Sequence, residues 1–188
     1  AGRPYALEEI DTLSDALLLS FYPGMKGGRA IAEIIFGDTS PAGRLPVSIP
    51  RHAGQLPVYY NYKTSYKAMN YYDILPKPLY TFGDGLTYTT FPFNNPSIGK
   101  PSITIKELNE EGVTLTFTVK NTGSRGAFAV PQFYIEDLES SVTRRVRELK
   151  AITKVYLFPR EEKQVTLSLT KESLEIFNEA REYAVEPG

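Results

Sequence analysis

Carboxylates that stand next to each other are the first candidates for chemistry in this sequence. Two carboxyl groups held a few Å apart can serve a glycosidase as nucleophile and as acid/base. Adjacent pairs occur at Glu8-Glu9, Glu110-Glu111, Glu136-Asp137 and Glu161-Glu162. Neighbouring side chains point to opposite faces of a strand and diverge on a helix, so these pairs are interpreted as solvated surface groups.

Aromatic residues surround two other carboxylates. The chain has 13 tyrosines and 10 phenylalanines but no tryptophan, and many of them crowd into residues 59–93. There, Tyr71 and Tyr72 precede Asp73 directly. An aromatic ring can stack on the apolar face of a sugar while a carboxylate binds its hydroxyls, so these three residues are the candidate substrate-binding group. A structural role for Asp73 stays open, and the Gly-Asp-Gly context of Asp84 favours a turn.

Three further motifs favour structural roles. The single His52 has the right pKa range for acid/base work, but no partner in the sequence would orient it, so we expect a surface or supporting histidine. Residues 24–28, Gly-Met-Lys-Gly-Gly, match neither the dinucleotide fingerprint nor the P-loop, which favours glycines for close packing over an anion site. The basic residues of 144–147 are predicted to protect an exposed strand edge.

Composition excludes several classes of site and partner. The chain contains no cysteine, which rules out disulfides, thiolate nucleophiles and cysteine-based zinc sites, and one histidine rules out a multi-histidine metal site. A formal net charge of −1 offers no broad basic field for nucleic acid or anionic lipid. No apolar run approaches the roughly 18 residues that span a bilayer, and no leader segment is apparent, so localisation stays open between the cytoplasm and secretion. No cofactor and no metal are predicted.

The first half of the sequence has the pattern of an α/β domain. Residues 15–21 form an apolar run of strand length that stops at a Tyr-Pro-Gly turn signal. Residues 29–36 carry apolar side chains at helical spacing, and Gly37 follows as a cap. A buried strand followed by an amphipathic helix is one unit of a mostly parallel sheet. Prolines then restrict residues 38–58 to loop and one short edge strand at 45–49.

The second half changes to the two-residue period of β-strands. Apolar residues and threonines alternate without a fault over 113–119. Further strands are predicted over 132–136, 151–158 and 165–169, with turn signals between them. Short strands punctuated every dozen or so residues predict an antiparallel sandwich. The boundary between the halves is predicted within residues 90–100.

A family resemblance rests on several motifs in order along nearly the whole chain. They are Ala1–Pro4, Tyr22–Gly24, Gly27–Ala32, Phe36–Asp38, Pro41–Pro46, Pro78–Phe91, Val119–Gly123, Arg147–Lys150 and Leu157–Glu161. These motifs closely resemble glycoside hydrolase family 3. The resemblance implies that residues 1–90 are the C-terminal part of the family's α/β sandwich domain, with an aromatic connector. It implies that residues 91–188 are a fibronectin type III-like β-sandwich that lacks its last strand.

The same resemblance implies a retaining β-glycosidase, most often a β-glucosidase. Its nucleophile lies on an N-terminal barrel and its acid/base lies upstream of the Gly-Arg-Pro motif. Neither motif is present here, so no catalytic residue is assigned and the chain is expected to be an inactive fragment by itself. The expected partners are that barrel, the upstream part of the α/β domain, and a β-glucoside or oligosaccharide substrate.

Two other functions are kept open for the second half. It could be a carbohydrate-binding module or a purely structural sandwich. It offers Tyr134, Tyr156 and Tyr183 but no tryptophan, and no planar row of aromatic side chains is evident. The structural alternative is therefore favoured for residues 100–188.

Overall fold

The chain forms two compact units. They are Ala1–Tyr88 and Thr89–Gly188. The structure is a computed structural model that describes residues 2–63, 72–73 and 75–188. Every strand pairing among these residues is antiparallel. Within the same residues, no helix has the length and apolar character needed to cross a membrane.

The predicted amphipathic helix of the first unit is confirmed. Two α-helices form there, α1 (Glu8–Thr12) and α2 (Gly27–Ile35), followed by a short 3-10 turn at Ala53–Gln55. Gly37 has φ of 80°, a left-handed conformation that ends α2, and its N–H donates to Ile34 O at 3.0 Å. The Tyr88 hydroxyl also donates to Ile34 O, at 2.5 Å. A residue 54 positions downstream thus satisfies a carbonyl at the end of the helix.

The strand predicted over residues 15–21 is wrong. This stretch has no strand structure, and Phe21 lies at φ of 47°. A buried parallel strand exists only when neighbouring strands supply its ladder of hydrogen bonds, and no described residue pairs with this segment. Its apolar residues therefore indicate a segment of strand length, but they do not indicate which strands would pair with it.

The edge strand predicted at residues 45–49 is reduced to one bridge. Ile49 is fully buried and exchanges backbone hydrogen bonds with Tyr80 and Leu79, each at 2.8 Å. Leu45 pairs in the same sense with residues 83 and 84. Pro46 lies between these two contacts and has no N–H to donate, so a continuous ladder does not form. The result is an irregular antiparallel pairing between residues 45–49 and residues 79–84.

A three-stranded sheet dominates the second unit. Its order is β1 (Phe93–Ile98), β2 (Val113–Lys120) and β7 (Glu162–Leu169), and β2 pairs with β7 over its full length. The perfect alternation of residues 113–119 is thus confirmed as the central strand. Its last apolar residue, Val119, joins the buried cluster of Val119, Ala129, Leu157 and Val165.

Three two-stranded pairings complete the unit. They are β3 (Ala127–Ala129) with β6 (Val155–Leu157), β4 (Gln132–Ile135) with β5 (Glu148–Ile152), and β8 (Ile176–Phe177) with β9 (Tyr183–Ala184). The strand predicted over residues 151–158 is split between β5 and β6. Thr153 at the break donates its N–H to Pro131 O at 3.2 Å, and the chain changes its partner from β4 to β3 there.

Two short helices were not predicted, α3 (Ile105–Glu111) and α4 (Lys171–Leu174). Thr104 and Glu107 form a capping box at the start of α3, each side chain accepting from the other residue's backbone N–H. Lys100 Nζ lies 2.9 Å from both Glu107 and Glu111. The Thr-x-x-Glu signature was present in the sequence and predicts this helix start.

The prediction that residues 144–147 protect an exposed strand edge is wrong for Arg144. Arg144 precedes β5, and its side chain is four-fifths buried between Asp137 and Glu148, each with an oxygen 3.0 Å from a guanidinium nitrogen. The Nε–H of Arg144 points away from hydrogen-bond alignment with Asp137, so that contact is purely ionic. Arg147 lies 5.5 Å over the ring of Tyr134. Neighbouring carboxylates therefore hold Arg144, and an aromatic ring lies against Arg147.

Candidate functional site

Two of the three candidate binding residues lie within the described part of the chain. Tyr71 lies outside the described residues. The side chain of Tyr72 is fully exposed and Asp73 is exposed as well. Both belong to an aromatic-rich stretch of the sequence, residues 59–80, whose described residues (59–63, 72–73 and 75–80) we call the aromatic loop. Their side chains are therefore accessible to a ligand.

Gln55 fixes the loop just after Asp73. Its side chain is 3% exposed, and its Oε1 accepts from Arg51 N–H at 2.6 Å. Its Nε2 donates to Leu75 O at 2.8 Å and lies 3.5 Å from Lys77 O. One buried carboxamide thus joins the 51–55 turn to a segment twenty residues further along the chain.

Arg51 adds a second hold on the same segment. Its Nε donates to Lys77 O at 3.2 Å, while its Nη1 forms an ion pair with Glu8 Oε1 at 2.6 Å. The side chain of Arg51 therefore binds both the end of the aromatic loop and α1. Because α1 buries none of its residues, polar contacts of this kind hold it in place.

His52 has a local structural role. Its Nδ1 accepts from Gly54 N–H at 3.1 Å, and its own N–H lies 3.4 Å from Gln55 Oε1, which together form a capping box on the 3-10 turn. This places His52 in a supporting position, as its sequence context indicated. Its acceptor nitrogen Nδ1 is used in the cap of the turn.

Aromatic and polar contacts anchor both ends of the aromatic loop. The rings of Tyr60 and Phe82 stack 4.0 Å apart with planes 11° from parallel. The Tyr80 hydroxyl donates to Asp11 of α1, and this hydrogen bond, with burial and the negative charge of Asp11, raises the pKa of Tyr80. Tyr60 and Tyr80, at the two ends of the aromatic loop, are therefore each held by a side chain outside it.

Asp84 forms a turn, as its sequence context favoured. Its Oδ2 accepts from Thr81 N–H at 2.7 Å and its N–H donates to Thr81 O at 3.0 Å. Gly83 inside this turn has φ of 88°, which favours glycine. Burial lowers the pKa of Arg44, against the opposing attraction of the Asp84 charge. The carboxylate of Asp84 thus accepts a hydrogen bond within its own turn.

Each adjacent carboxylate pair has at least one member in an ion pair. The contacts are Glu8 with Arg51, Glu111 with Lys100, Asp137 with Arg144, Glu161 with Lys163, and Glu162 with Lys120. The carboxylates of these pairs therefore form local ion pairs. Those of Glu8, Glu111 and Glu162 lie at the surface, whereas Asp137 is half-buried against Arg144 and so departs from the sequence interpretation. Across the described ranges, no group of three or more His, Cys, Asp or Glu side chains is placed to hold a metal ion.

Two of the three glycines of residues 24–28 have local structural reasons. A Cβ on Gly27 would lie 2.6 Å from Pro23, and Gly24 has φ of 71°. Gly24 is thus favoured by its backbone conformation, and Gly27 by its close contact with the Pro23 side chain. The packing interpretation is therefore confirmed for Gly27 alone.

Exposed aromatic side chains of the second unit are mutually tilted. Tyr156 lies between Phe128 and Phe158, with ring centroids 5.1 and 5.2 Å apart and planes at 70° and 89°. Lys154 Nζ lies 4.4 Å from the ring centre of Phe128 and covers one of its faces. These rings do not form the flat row that stacks on consecutive sugars, as the sequence analysis expected.

Sequence reasoning missed Gln55 and Arg51. The residues they hold lie 20 to 26 positions away, a separation at which a single sequence carries no pairing signal. A partial signal was present in His52-x-x-Gln55, which resembles a capping box with glutamine at its third helical position. That pattern predicts the turn but gives no indication of the contact with Leu75.

Comparison with known proteins gives the family. Residues 1–88 match the model of the glycosyl hydrolase family 3 C-terminal domain, and residues 129–188 match the fibronectin type III-like domain. A periplasmic beta-glucosidase of Salmonella typhimurium is 38% identical over 100% of this chain and 25% of its own length. A beta-xylosidase of Formosa agariphila is 36% identical over 100% of this chain and 26% of its own.

Solved structures agree in fold and extent. A beta-glucosidase from Listeria innocua in complex with isofagomine has a TM-score of 0.89 and 36% identity, covering 99% of this chain and 27% of that one. A beta-glucosidase from Erythrobacter marinus has a TM-score of 0.91 and 39% identity, covering 100% and 24%. The chain thus spans about a quarter of the length of these relatives. Residues 1–88 therefore correspond to the C-terminal domain of glycosyl hydrolase family 3, and residues 129–188 correspond to a fibronectin type III-like domain.

Proposed function

We propose that this chain works within a retaining β-glycosidase, most simply a β-glucosidase acting on β-linked glucosides or oligosaccharides. Relatives named beta-glucosidase and beta-xylosidase cover all of the chain and support this proposal. Within such an enzyme the chain supplies scaffold, and Tyr72 and Asp73 supply part of the wall of a sugar subsite. An N-terminal barrel and the upstream part of the α/β domain are its partners.

The reacting groups belong to those partners. A retaining glycosidase needs two carboxyl groups about 5–5.5 Å apart, one of them a nucleophile that becomes glycosylated and the other first acid and then base. The adjacent carboxylates of this chain are drawn into contacts with Lys or Arg instead. Hydrolysis itself therefore needs residues outside this chain.

The observation that carries the subsite proposal is the contrast between exposure and anchorage. Tyr72 and Asp73 are open to solvent, yet they lie directly before a segment held by the buried Gln55 and by Arg51. A sugar presents an apolar face to an aromatic ring and hydroxyls to a carboxylate, and these two side chains are adjacent in the chain. Because the segment after them is anchored, Tyr72 and Asp73 can keep one position relative to a bound ligand.

An activity assay with an aryl β-glucoside tests the division of labour. We expect the full-length enzyme to hydrolyse the substrate and this chain alone to give no turnover above the uncatalysed rate. Thermal unfolding of the isolated chain, run in parallel, shows that it is folded under the assay conditions. Turnover by the folded, isolated chain would overturn the assignment of the reacting carboxylates to its partners.

For the second unit we propose a structural role in preference to carbohydrate binding. Its exposed rings lie edge to face, and Lys154 occupies one face of Phe128. Affinity electrophoresis in soluble and insoluble glucans distinguishes the two roles. The structural role predicts the same mobility for the wild type and for Tyr156→Ala in every glucan, whereas retardation that Tyr156→Ala abolishes would establish a binding module.

A further inference from the structure

We propose that Gln55 is a positioning residue for substrate recognition, acting through the backbone of the aromatic loop. This inference rests on the proposed subsite role of Tyr72 and Asp73. Gln55 does not touch substrate. It sets the position from which the two exposed side chains meet the sugar.

Both the oxygen and the nitrogen of the Gln55 carboxamide form hydrogen bonds. Its oxygen accepts from Arg51 N–H at 2.6 Å and lies 3.4 Å from His52 N, while its nitrogen donates to Leu75 O at 2.8 Å. The side chain is almost entirely buried, so water cannot replace these bonds without a rearrangement. Neither a pure donor nor a pure acceptor could make both contacts.

Burial of its own side chain does little to hold Leu75 in place. The side chain of Leu75 is 64% exposed, so burial of that side chain contributes little to fixing its backbone. Lys77 is held separately by Arg51, which donates to its carbonyl at 3.2 Å. Among the contacts between described residues, the bond from Gln55 is therefore one that reaches close to Asp73, while Arg51 keeps the chain beyond it anchored.

Leu75 is close in the chain to the candidate binding residues, so its position affects theirs. Asp73 lies two residues before Leu75 and Tyr72 lies three, so their Cα atoms are at most about 11 Å away. A shift of the Leu75 carbonyl by an ångström or two therefore moves both side chains relative to the rest of the site. Small misplacements of binding groups are known to cost affinity or rate far out of proportion to their size.

Two substitutions separate the two ends of the carboxamide. Gln55→Glu keeps an acceptor for Arg51 and His52 but turns a carboxylate oxygen toward the carbonyl of Leu75. Gln55→Met has a similar length and removes both ends. In the full-length enzyme we expect both to raise KM for a β-linked glucose oligosaccharide about three- to tenfold, the factor that one net hydrogen bond represents, with kcat changed less than about twofold.

Asn121→Asp is the matched control. Asn121 is a fully buried carboxamide of the second unit that also donates to backbone carbonyls, at Arg125 and Phe158. It should lower the melting temperature at least as much as Gln55→Glu does and leave KM unchanged. If KM rose equally in Asn121→Asp, general destabilisation would explain the effect and the inference would be wrong.

Tyr72→Ala, measured in parallel, separates the inference from the proposal beneath it. A raised KM in Tyr72→Ala together with a wild-type KM in folded Gln55→Glu would overturn the positioning role and leave the subsite intact. A wild-type KM in Tyr72→Ala would refute the subsite itself, and the positioning role with it. If Gln55→Met does not fold, Gln55→Asn, one methylene too short to reach Leu75, replaces it with the same expected rise in KM.

Discussion

The carboxamide of Asn121 accepts a hydrogen bond from the hydroxyl of Thr89 at 2.6 Å, and both residues are buried. The same oxygen accepts from Gly123 N–H at 3.0 Å, and the amide nitrogen donates to Arg125 O at 2.7 Å and to Phe158 O at 3.1 Å. One side chain therefore joins the start of the second unit, the turn after β2 and the turn after β6. Each of its polar atoms is satisfied.

This network predicts a large stability loss on Asn121→Ala. The substitution leaves several buried donors and acceptors without partners, and we expect the free energy of unfolding to fall by about 3 kcal/mol. Urea denaturation of the chain, followed by far-UV circular dichroism, measures it. Asn178→Ala removes an exposed side-chain acceptor from a hairpin turn and should cost less than about 1 kcal/mol. Equal losses in the two variants would contradict the buried network.

The capping box of α3 predicts an unusually acidic carboxyl group. The backbone N–H of Thr104, the ammonium group of Lys100 and the Thr104 hydroxyl lower the pKa of Glu107 to about 2. A lowered pKa in the folded state means that this contribution to stability is full above the ordinary value of 4.5 and is lost as pH falls toward 2. Carbon-13 NMR of the carboxyl group during an acid titration measures the pKa.

Two variants identify the source of that shift. Lys100→Met and Thr104→Val should each raise the pKa of Glu107, because each removes a group that hydrogen-bonds to its carboxylate. Glu107→Gln should flatten the dependence of stability on pH between 4.5 and 2. A Glu107 that titrates near 4.5 in the wild type would show that the capping box does not form in solution.

Two glycines near α2 are predicted to respond to alanine in opposite directions. Gly37 ends the helix at φ of 80°, so Gly37→Ala should cost about 1–2 kcal/mol. Gly28 lies within α2 and a Cβ there would meet nothing within 4 Å, so Gly28→Ala should stabilise by about 0.5–1 kcal/mol. Thermal unfolding of the two variants measures the difference, and a stabilising Gly37→Ala would refute the assigned helix end.

Sequence patterns predicted the elements whose conformation depends mainly on residues close to them in the chain. Residues 113–119 became the central strand because their alternation suits a sheet with one buried face. The helix ending at Gly37 and the turn at Asp84 followed from positions where one residue type is strongly preferred. The capping box at Thr104 was equally readable.

Features that depend on distant partners could not be predicted. The stretch of residues 15–21 has the composition of a buried strand, but no neighbour pairs with it in the described chain. The break between β5 and β6 arises because each pairs with a different strand. At the candidate site, Tyr72 and Asp73 followed from residue type, whereas Gln55 became visible only through its contact with Leu75.

The most direct test of the subsite role is the steady-state kinetics of Tyr72→Ala in the full-length enzyme. Loss of a stacking contact worth about 0.5–1.5 kcal/mol should raise KM for a β-linked glucose oligosaccharide about two- to tenfold, with kcat nearly unchanged. Tyr72→Phe should retain most of the affinity, and Tyr183→Ala, at an exposed tyrosine of the second unit, should match the wild type. Wild-type KM and kcat in Tyr72→Ala would contradict the account.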